Sequence, residues 1–163
     1  MNAEEFADLL IENKIAIRDE LKGCSENEIE RLEKYIHANL PQSYRKFLAL
    51  MGHKAGIFHR GSDYSYKDLF HLTKDTREML ADGPFKLPED AFVISSHQGY
   101  IFAYFILSDD DDPPVYTYME TESEPQQWAT SFSEYLAKSW EEYRSNLITL
   151  ESFKRERDQK SGK

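Results

Sequence analysis

The chain has 163 residues, a mass of 19.1 kDa and a net charge of −10, from 20 Lys and Arg against 30 Asp and Glu. Its 40% hydrophobic and 13% aromatic content excludes a disordered chain. Its length suits one domain of about 100–200 residues, with a core that needs no disulfide or metal staple. The acidic balance disfavours nucleic acid and anionic membrane surfaces, whose phosphates call for Lys and Arg. It favours a basic protein partner or a cation.

The first fifty residues predict helices. Asn2 and Glu5 form a capping box, in which each side chain satisfies a free amide of the first turn. Phe6, Leu9, Leu10 and Ile17 then recur at roughly helical spacing up to Gly23. Ser25 and Glu28 are a second capping box, followed by Ile29, Leu32 and Ile36 on one helix face. Leu40-Pro41 breaks that helix, and Pro41 starts a third. Its Tyr44, Phe47, Leu48 and Met51 fall at i, i+3, i+4 and i+7, and Gly52 serves as C-cap. After Gly56 the period changes. Ile57 to His59 predicts a short strand, and Asp68 to Ala81 a helix ended by Gly83-Pro84. Phe92 to Ile94, Tyr100 to Leu107 and Val115 to Tyr118 predict strands, with a hairpin turn over Ser96 to Gly99. Ser131 or Ser133 caps a last helix carrying Phe132, Leu136, Trp140 and Tyr143 on one side. Glu151 to Lys163 predicts a frayed polar tail, leaving one domain over residues 1–150. Helices, then an antiparallel β-sheet meander, then a helix make an α+β fold, the sheet packed against N-terminal helices and a C-terminal helix.

The charge is segregated. Residues 87–137 hold no Lys or Arg and ten acids, so the rest of the chain is balanced. Asp109, Asp110, Asp111, Asp112, Glu120, Glu122 and Glu124, with Tyr116, Tyr118 and Trp128 as anchors, are the expected partner-binding residues. Tyr and Trp beside charge suit interfaces, because they add large contact area at low entropy loss. A solvated acidic face is the plainer alternative. Tyr116 and Tyr118 share one strand face, and Val115 and Thr117 the other. The run Asp109–Asp112 followed by Pro113-Pro114 lacks the alternating oxygens, central Gly and terminal Glu of a calcium loop, so a solvated turn is expected.

Nothing in the sequence asks for catalysis. Gly-x-Ser-x-Gly and the phosphate-cradling Gly patterns are absent. The histidines, His37, His53, His59, His71 and His97, show no helical zinc spacing. Cys24 is the single cysteine, so an intrachain disulfide and a zinc site built on cysteines are both excluded. Lys22 nearby would activate its thiol mildly, but a buried or inert thiol is the better reading. The expectation is no catalytic residue, no metal site and no cofactor. A small-ligand pocket near His53, His59 and Asp63 is the rival. Met1 to Asp8 lacks the basic start of a secretory signal, and no apolar run approaches the ~20 residues of a membrane span. A cytoplasmic protein is therefore expected.

Several motifs fall in a meaningful order. Ile29-Glu30-Arg31-Leu32-Glu33 precedes Leu40-Pro41-Gln42-Ser43-Tyr44-Arg45-Lys46-Phe47-Leu48. Phe92-Val93-Ile94, Tyr100-Ile101-Phe102-Ala103-Tyr104 and Asp112-Pro113-Pro114-Val115-Tyr116 follow, and Ser131-Phe132-Ser133-Glu134-Tyr135-Leu136 closes the series. Together, over roughly residues 25–143, they resemble the SUKH superfamily, which includes the yeast cell-wall-assembly regulator and many bacterial toxin-immunity proteins. Met51-Gly52-His53 departs from the Asn-Gly common there. The resemblance implies an α+β fold without catalytic residues. It also implies an immunity protein that binds and neutralises a cognate toxin, often a nuclease; the charge pattern independently suits binding through the acidic surface to a basic surface of that toxin, and a regulatory module with a cellular partner is the alternative.

Overall fold

The computed structural model describes residues 1–162, and at residues 153 and 154 the backbone alone. Helix α1 (Ala3–Glu12) opens at the expected capping box: the Asn2 side chain accepts the Glu5 amide at 2.8 Å, and the Glu5 carboxylate accepts the Asn2 amide at 2.9 Å. It ends well short of Gly23. Lys14 turns left-handed at φ 59°, and the amides of Ile15 and Ala16 fold back onto the Leu10 carbonyl. Ile17 lies outside the helix and is exposed. A short 3-10 turn (Arg18–Glu20) and strand β1 (Leu21–Lys22) occupy the rest of the predicted helix.

Helix α2 (Glu26–Ile36) begins at the Ser25–Glu28 box and ends at left-handed His37. Helix α3 (Gln42–Met51) follows Pro41 and buries Tyr44, Phe47, Leu48 and Met51, the spacing read from the sequence. Strand β2 (Lys54–Ala55) pairs antiparallel with β1. The strand expected at 57–59 is a turn, because Gly56 and His59 both adopt positive φ, which extended backbone does not permit. Strand β3 (Ser62–Asp63) comes next. The expected 68–81 helix is two helices, α4 (Tyr66–Leu69) and α5 (Leu72–Met79), with the break at His71, whose φ of −128° is not helical. Ser65 starts α4 early by holding the Asp68 carboxylate at 2.6 Å.

Four longer strands follow: β4 (Ala91–His97), β5 (Ile101–Ile106), β6 (Val115–Met119) and β7 (Gln126–Ala129). They form an antiparallel sheet of order β3-β4-β5-β6-β7. The meander is as expected, with β3 and β7 added at its edges. Gln98 and Gly99, both at positive φ, make the β4–β5 turn, the backbone that matches strand twist. The last helix, α6 (Phe132–Ser161), is capped by Ser131, whose hydroxyl accepts the Glu134 amide at 3.0 Å. Past residue 150 it continues as helix to Ser161 where the sequence predicts a frayed tail.

The architecture is α+β. One sheet face presents Phe92 and Phe105 to α3 and α6. There Tyr44 lies at the centre, its ring 5.3 Å from those of Phe105 and Phe132 and 6.0 Å from that of Phe92. The opposite face carries Phe102, Tyr104 and Tyr118, and Phe85 from the 80–90 segment packs against the two tyrosines. Beyond the end of short β3, α5 covers the sheet edge: Thr73 accepts the Val93 amide at 2.9 Å. Among the described residues no helix is long and apolar enough to cross a membrane.

Candidate binding surface

The expected partner-binding residues do not form one patch. Asp109–Asp112 lie in the β5–β6 loop, and Glu120, Glu122 and Glu124 in the β6–β7 loop, so strand β6 separates them. Five residues of strand span about 15 Å.

The aspartate loop is tied to the fold. The Asp111 carbonyl accepts the Ser43 amide at 3.0 Å, and the Asp112 carboxylate accepts the Ser133 amide at 2.9 Å. These are orphan donors in the first turns of α3 and α6, so two helix N-termini converge on the loop. Four carboxylates there complement both positive helix ends. This is a correction for Asp112, whose side chain is committed as a cap. Asp109, Asp110 and Asp111 keep exposed side chains.

The aromatic anchors divide in the same way. Register sets Tyr116 opposite Tyr104 and Tyr118 opposite Phe102, so the two tyrosines share a face, as alternation requires. It is the face covered by Phe85. Tyr118 is 2% exposed, and its hydroxyl donates to the Glu122 carbonyl at 2.8 Å. Tyr118 is therefore a core residue and not an anchor. Tyr116 is half-buried, stacked on Tyr104 at 5.5 Å.

Trp128 lies elsewhere. A groove of about 860 Å³ opens between the α6-facing side of the sheet and the second half of α6. Sheet residues Ile101, Ala103, Thr117, Met119 and Trp128 form its floor; Tyr143, Asn146 and Leu150 line it from α6, and Ile57, His59 and Arg60 from the 57–62 turn. Ile57, Met119 and Leu150 are exposed large apolar side chains. Glu122 from the β6–β7 loop and Glu142 from α6 line it too. The groove is thus apolar at its floor and acidic at one mouth. Lys138 lies over the Trp128 ring at 5.8 Å and donates to the Trp128 carbonyl at 2.9 Å, which fixes the indole. Of the expected residues, Trp128, Glu122 and the buried Tyr118 border this groove, with Glu120 and Glu124 in the adjoining loop. The sequence gives no sign of the groove itself, because four separate stretches build it. The one usable signal is that apolar spacing on α6 runs on past the buried Trp140 to Tyr143, Leu147 and Leu150.

The histidine pocket is redistributed. His53 bonds Glu28 at 3.0 Å, while Asp63 belongs to β3, paired with Ser96. Of these three only His59 lines the groove, joined there by His97, which is bonded to Ser62 at 2.8 Å. The His59 ring packs on Phe58 at 4.2 Å and Tyr64 at 5.0 Å. Burial pushes its imidazole down to about 4, and the neighbouring His97 adds to this. Above pH 6.5 the ring is neutral in folded and unfolded chains. Below it the unfolded chain takes a proton that the folded chain refuses, so stability falls as pH drops from 6.5 towards 4. The expected loss from this group is about 2–3 kcal/mol. Urea unfolding of wild type and His59→Leu at pH 7.5 and 4.5 checks this: the variant should lose that much less on acidification. Equal losses in both proteins would refute the assignment.

Cys24 is buried and its thiol is pushed up to about 12, by burial first and then by the Glu28 carboxylate. The mild activation by Lys22 weighed in the sequence does not occur.

The family model described as SMI1 / KNR4 family (SUKH-1) matches residues 23–138. Comparison with curated proteins finds no match.

Proposed function

The chain belongs to the SMI1 / KNR4 family (SUKH-1), and on that premise we propose that it is a non-catalytic protein that neutralises a cognate bacterial toxin by stoichiometric binding. The partner presents a basic segment, as a nuclease does around its substrate groove. The supporting observation is the groove: exposed apolar residues on its floor and wall, with Glu122 at its β6–β7 mouth and Glu120 and Glu124 in the same loop. Apolar area supplies affinity once buried, and the acids supply orientation and speed of encounter. Trp128, held by Lys138, and Tyr143 are the anchors. No proton transfer or turnover enters the mechanism. The toxin is occluded because its basic site is covered.

The test has two stages. The protein is used as bait in lysate of its source organism, and captured proteins are identified at low and moderate salt. Capture of one basic toxin domain, weakened by salt, supports neutralisation. Capture of housekeeping proteins alone overturns it in favour of the regulatory reading. With the captured domain in hand, Glu120→Lys combined with Glu124→Lys should slow association at least about tenfold at low salt and flatten its salt dependence. Both positions are exposed, so the substitutions leave the core intact. An unchanged association rate would remove this mouth of the groove from the interface.

A further inference from the structure

A second cluster lies away from the groove, where β1, β2 and the ends of α2 and α3 meet. The sequence predicts no metal site, since Cys24 is the single cysteine and no histidine pair has helical zinc spacing; Cys24 and His53 themselves stand far apart in the chain. The fold closes that gap. The His53 amide donates to the Lys22 carbonyl at 2.8 Å, and the Cys24 amide to the Leu48 carbonyl at 2.8 Å. Lys22 also pairs with Lys54 in the β1–β2 ladder. Segments 22–24 and 52–54 are thereby stitched side by side. Glu28 is delivered by the first turn of α2. The Cys24 sulfur, a Glu28 carboxylate oxygen and a His53 ring nitrogen all lie within 4.8 Å of one another.

We propose that Cys24, Glu28 and His53 form a binding site for a divalent transition-metal ion, zinc being the best fit, with water as the fourth ligand. One thiolate, one imidazole and one carboxylate are the donors zinc takes. Three protein ligands with one open position is a recurring zinc arrangement. Zinc–ligand lengths of about 2.0–2.3 Å put neighbouring ligand atoms roughly 3.3–3.8 Å apart in a tetrahedron. His53 Nε2 is already 3.0 Å from the Glu28 carboxylate, so small rotations of these two side chains complete the set. The His53 side chain is 39% exposed, which leaves the open position towards solvent.

The surroundings hold the ligands as metal sites require. The Ser25 amide donates to the Glu28 carboxylate at 2.8 Å, and the Tyr66 hydroxyl donates to the Glu28 carbonyl at 2.9 Å. The Tyr66 ring packs against the His53 imidazole at 5.3 Å. Gly52 makes room for the sulfur: a Cβ there would stand 2.4 Å from it. Coordination takes Cys24 as thiolate, so each ion bound sends one proton to solvent.

The full chain, purified reduced and metal-free, is titrated with Zn²⁺ by calorimetry and with Co²⁺ by absorption spectroscopy. One Zn²⁺ per chain is expected, and the Co²⁺ form should show tetrahedral visible bands and a thiolate charge-transfer band. Cys24→Ser should abolish that band. His53→Gln should weaken Zn²⁺ at least about tenfold, since even outer-shell losses reach that size. His53→Gln alters an exposed side chain, so it reports even where Cys24→Ser fails to fold. A Co²⁺ spectrum without a thiolate band in wild type, or Zn²⁺ affinity unchanged in His53→Gln, would overturn the proposal. The site is independent of the groove, so either can fail without the other.

Discussion

Replacing Tyr44 with alanine should destabilise the protein by about 3–5 kcal/mol, the range for truncating a buried large aromatic. Tyr44 is 1% exposed and touches rings from each element around it on the helix-covered sheet face: Phe47 on its own helix, Phe92 and Phe105 on the sheet, Phe132 on α6. Removing it opens a cavity that three different elements would have to collapse to fill. At roughly 2–4 °C per kcal/mol for a chain of this size, the melting temperature should fall on the order of 10 °C. Tyr44→Phe should behave oppositely. The Tyr44 hydroxyl is buried without a hydrogen-bond partner among the described residues. Its desolvation is uncompensated, and removing the oxygen keeps every ring contact. The phenylalanine variant should match or exceed wild type by up to about 1–2 kcal/mol. Thermal unfolding of the three proteins decides the matter. A Tyr44→Phe variant as damaged as Tyr44→Ala would show that the hydroxyl, and not the ring, carries the site.

This pair of variants explains what the Leu-Pro-x-x-Tyr-x-x-Phe-Leu run encodes. Leu40, Tyr44, Phe47 and Leu48 are all buried, so the named positions of this motif, one of those that carried the family resemblance, are core chemistry. The fold was legible for that reason. Capping boxes at Asn2 and Ser25, the i, i+3, i+4 spacing of α3 and the β-branched and aromatic run of β5 are local signals with local causes. What failed were features decided by contacts distant in sequence. The early end of α1 depends on Ile15 and Ala16 folding back under Gly56, and the turn at 57–59 on two left-handed residues. Neither leaves a pattern in hydropathy. The site failed similarly. Segregation of acids was visible, but composition does not say that β6 parts them into two loops. Nor does it say that the Asp112 side chain is bound to the start of α6. Tyr118 and Trp128 look alike as interface residues; only register and the position of Phe85 put the first inside and the second at the groove.

The same distant contacts make Gly23 the least replaceable small residue in the chain, and Gly23→Ala should destabilise it by more than about 4 kcal/mol, the exceptional class for one substitution. An alanine Cβ would stand 1.7 Å from the Ala49 carbonyl oxygen and 2.4 Å from its carbon. Both atoms are backbone of the last turns of α3, so no rotamer relieves the overlap. The two segments are held at that spacing by the Cys24–Leu48 and His53–Lys22 amide bonds on either side. Relief therefore means parting β1 from α3. Gly99→Ala is the control: nothing lies within 4 Å of its Cβ position, and only the positive φ of 76° is at issue. That carries about 1–2 kcal/mol. Circular dichroism and urea unfolding of both variants should give a folded Gly99→Ala and a largely unfolded Gly23→Ala. Two variants of equal stability would mean that the close approach of residue 23 to α3 is not a fixed feature of the fold. Were Gly23→Ala to retain structure with β1 displaced, Cys24 would shift relative to His53. Zn²⁺ binding would then fall while the groove, which shares no lining residue with the Cys24 cluster, kept its partner.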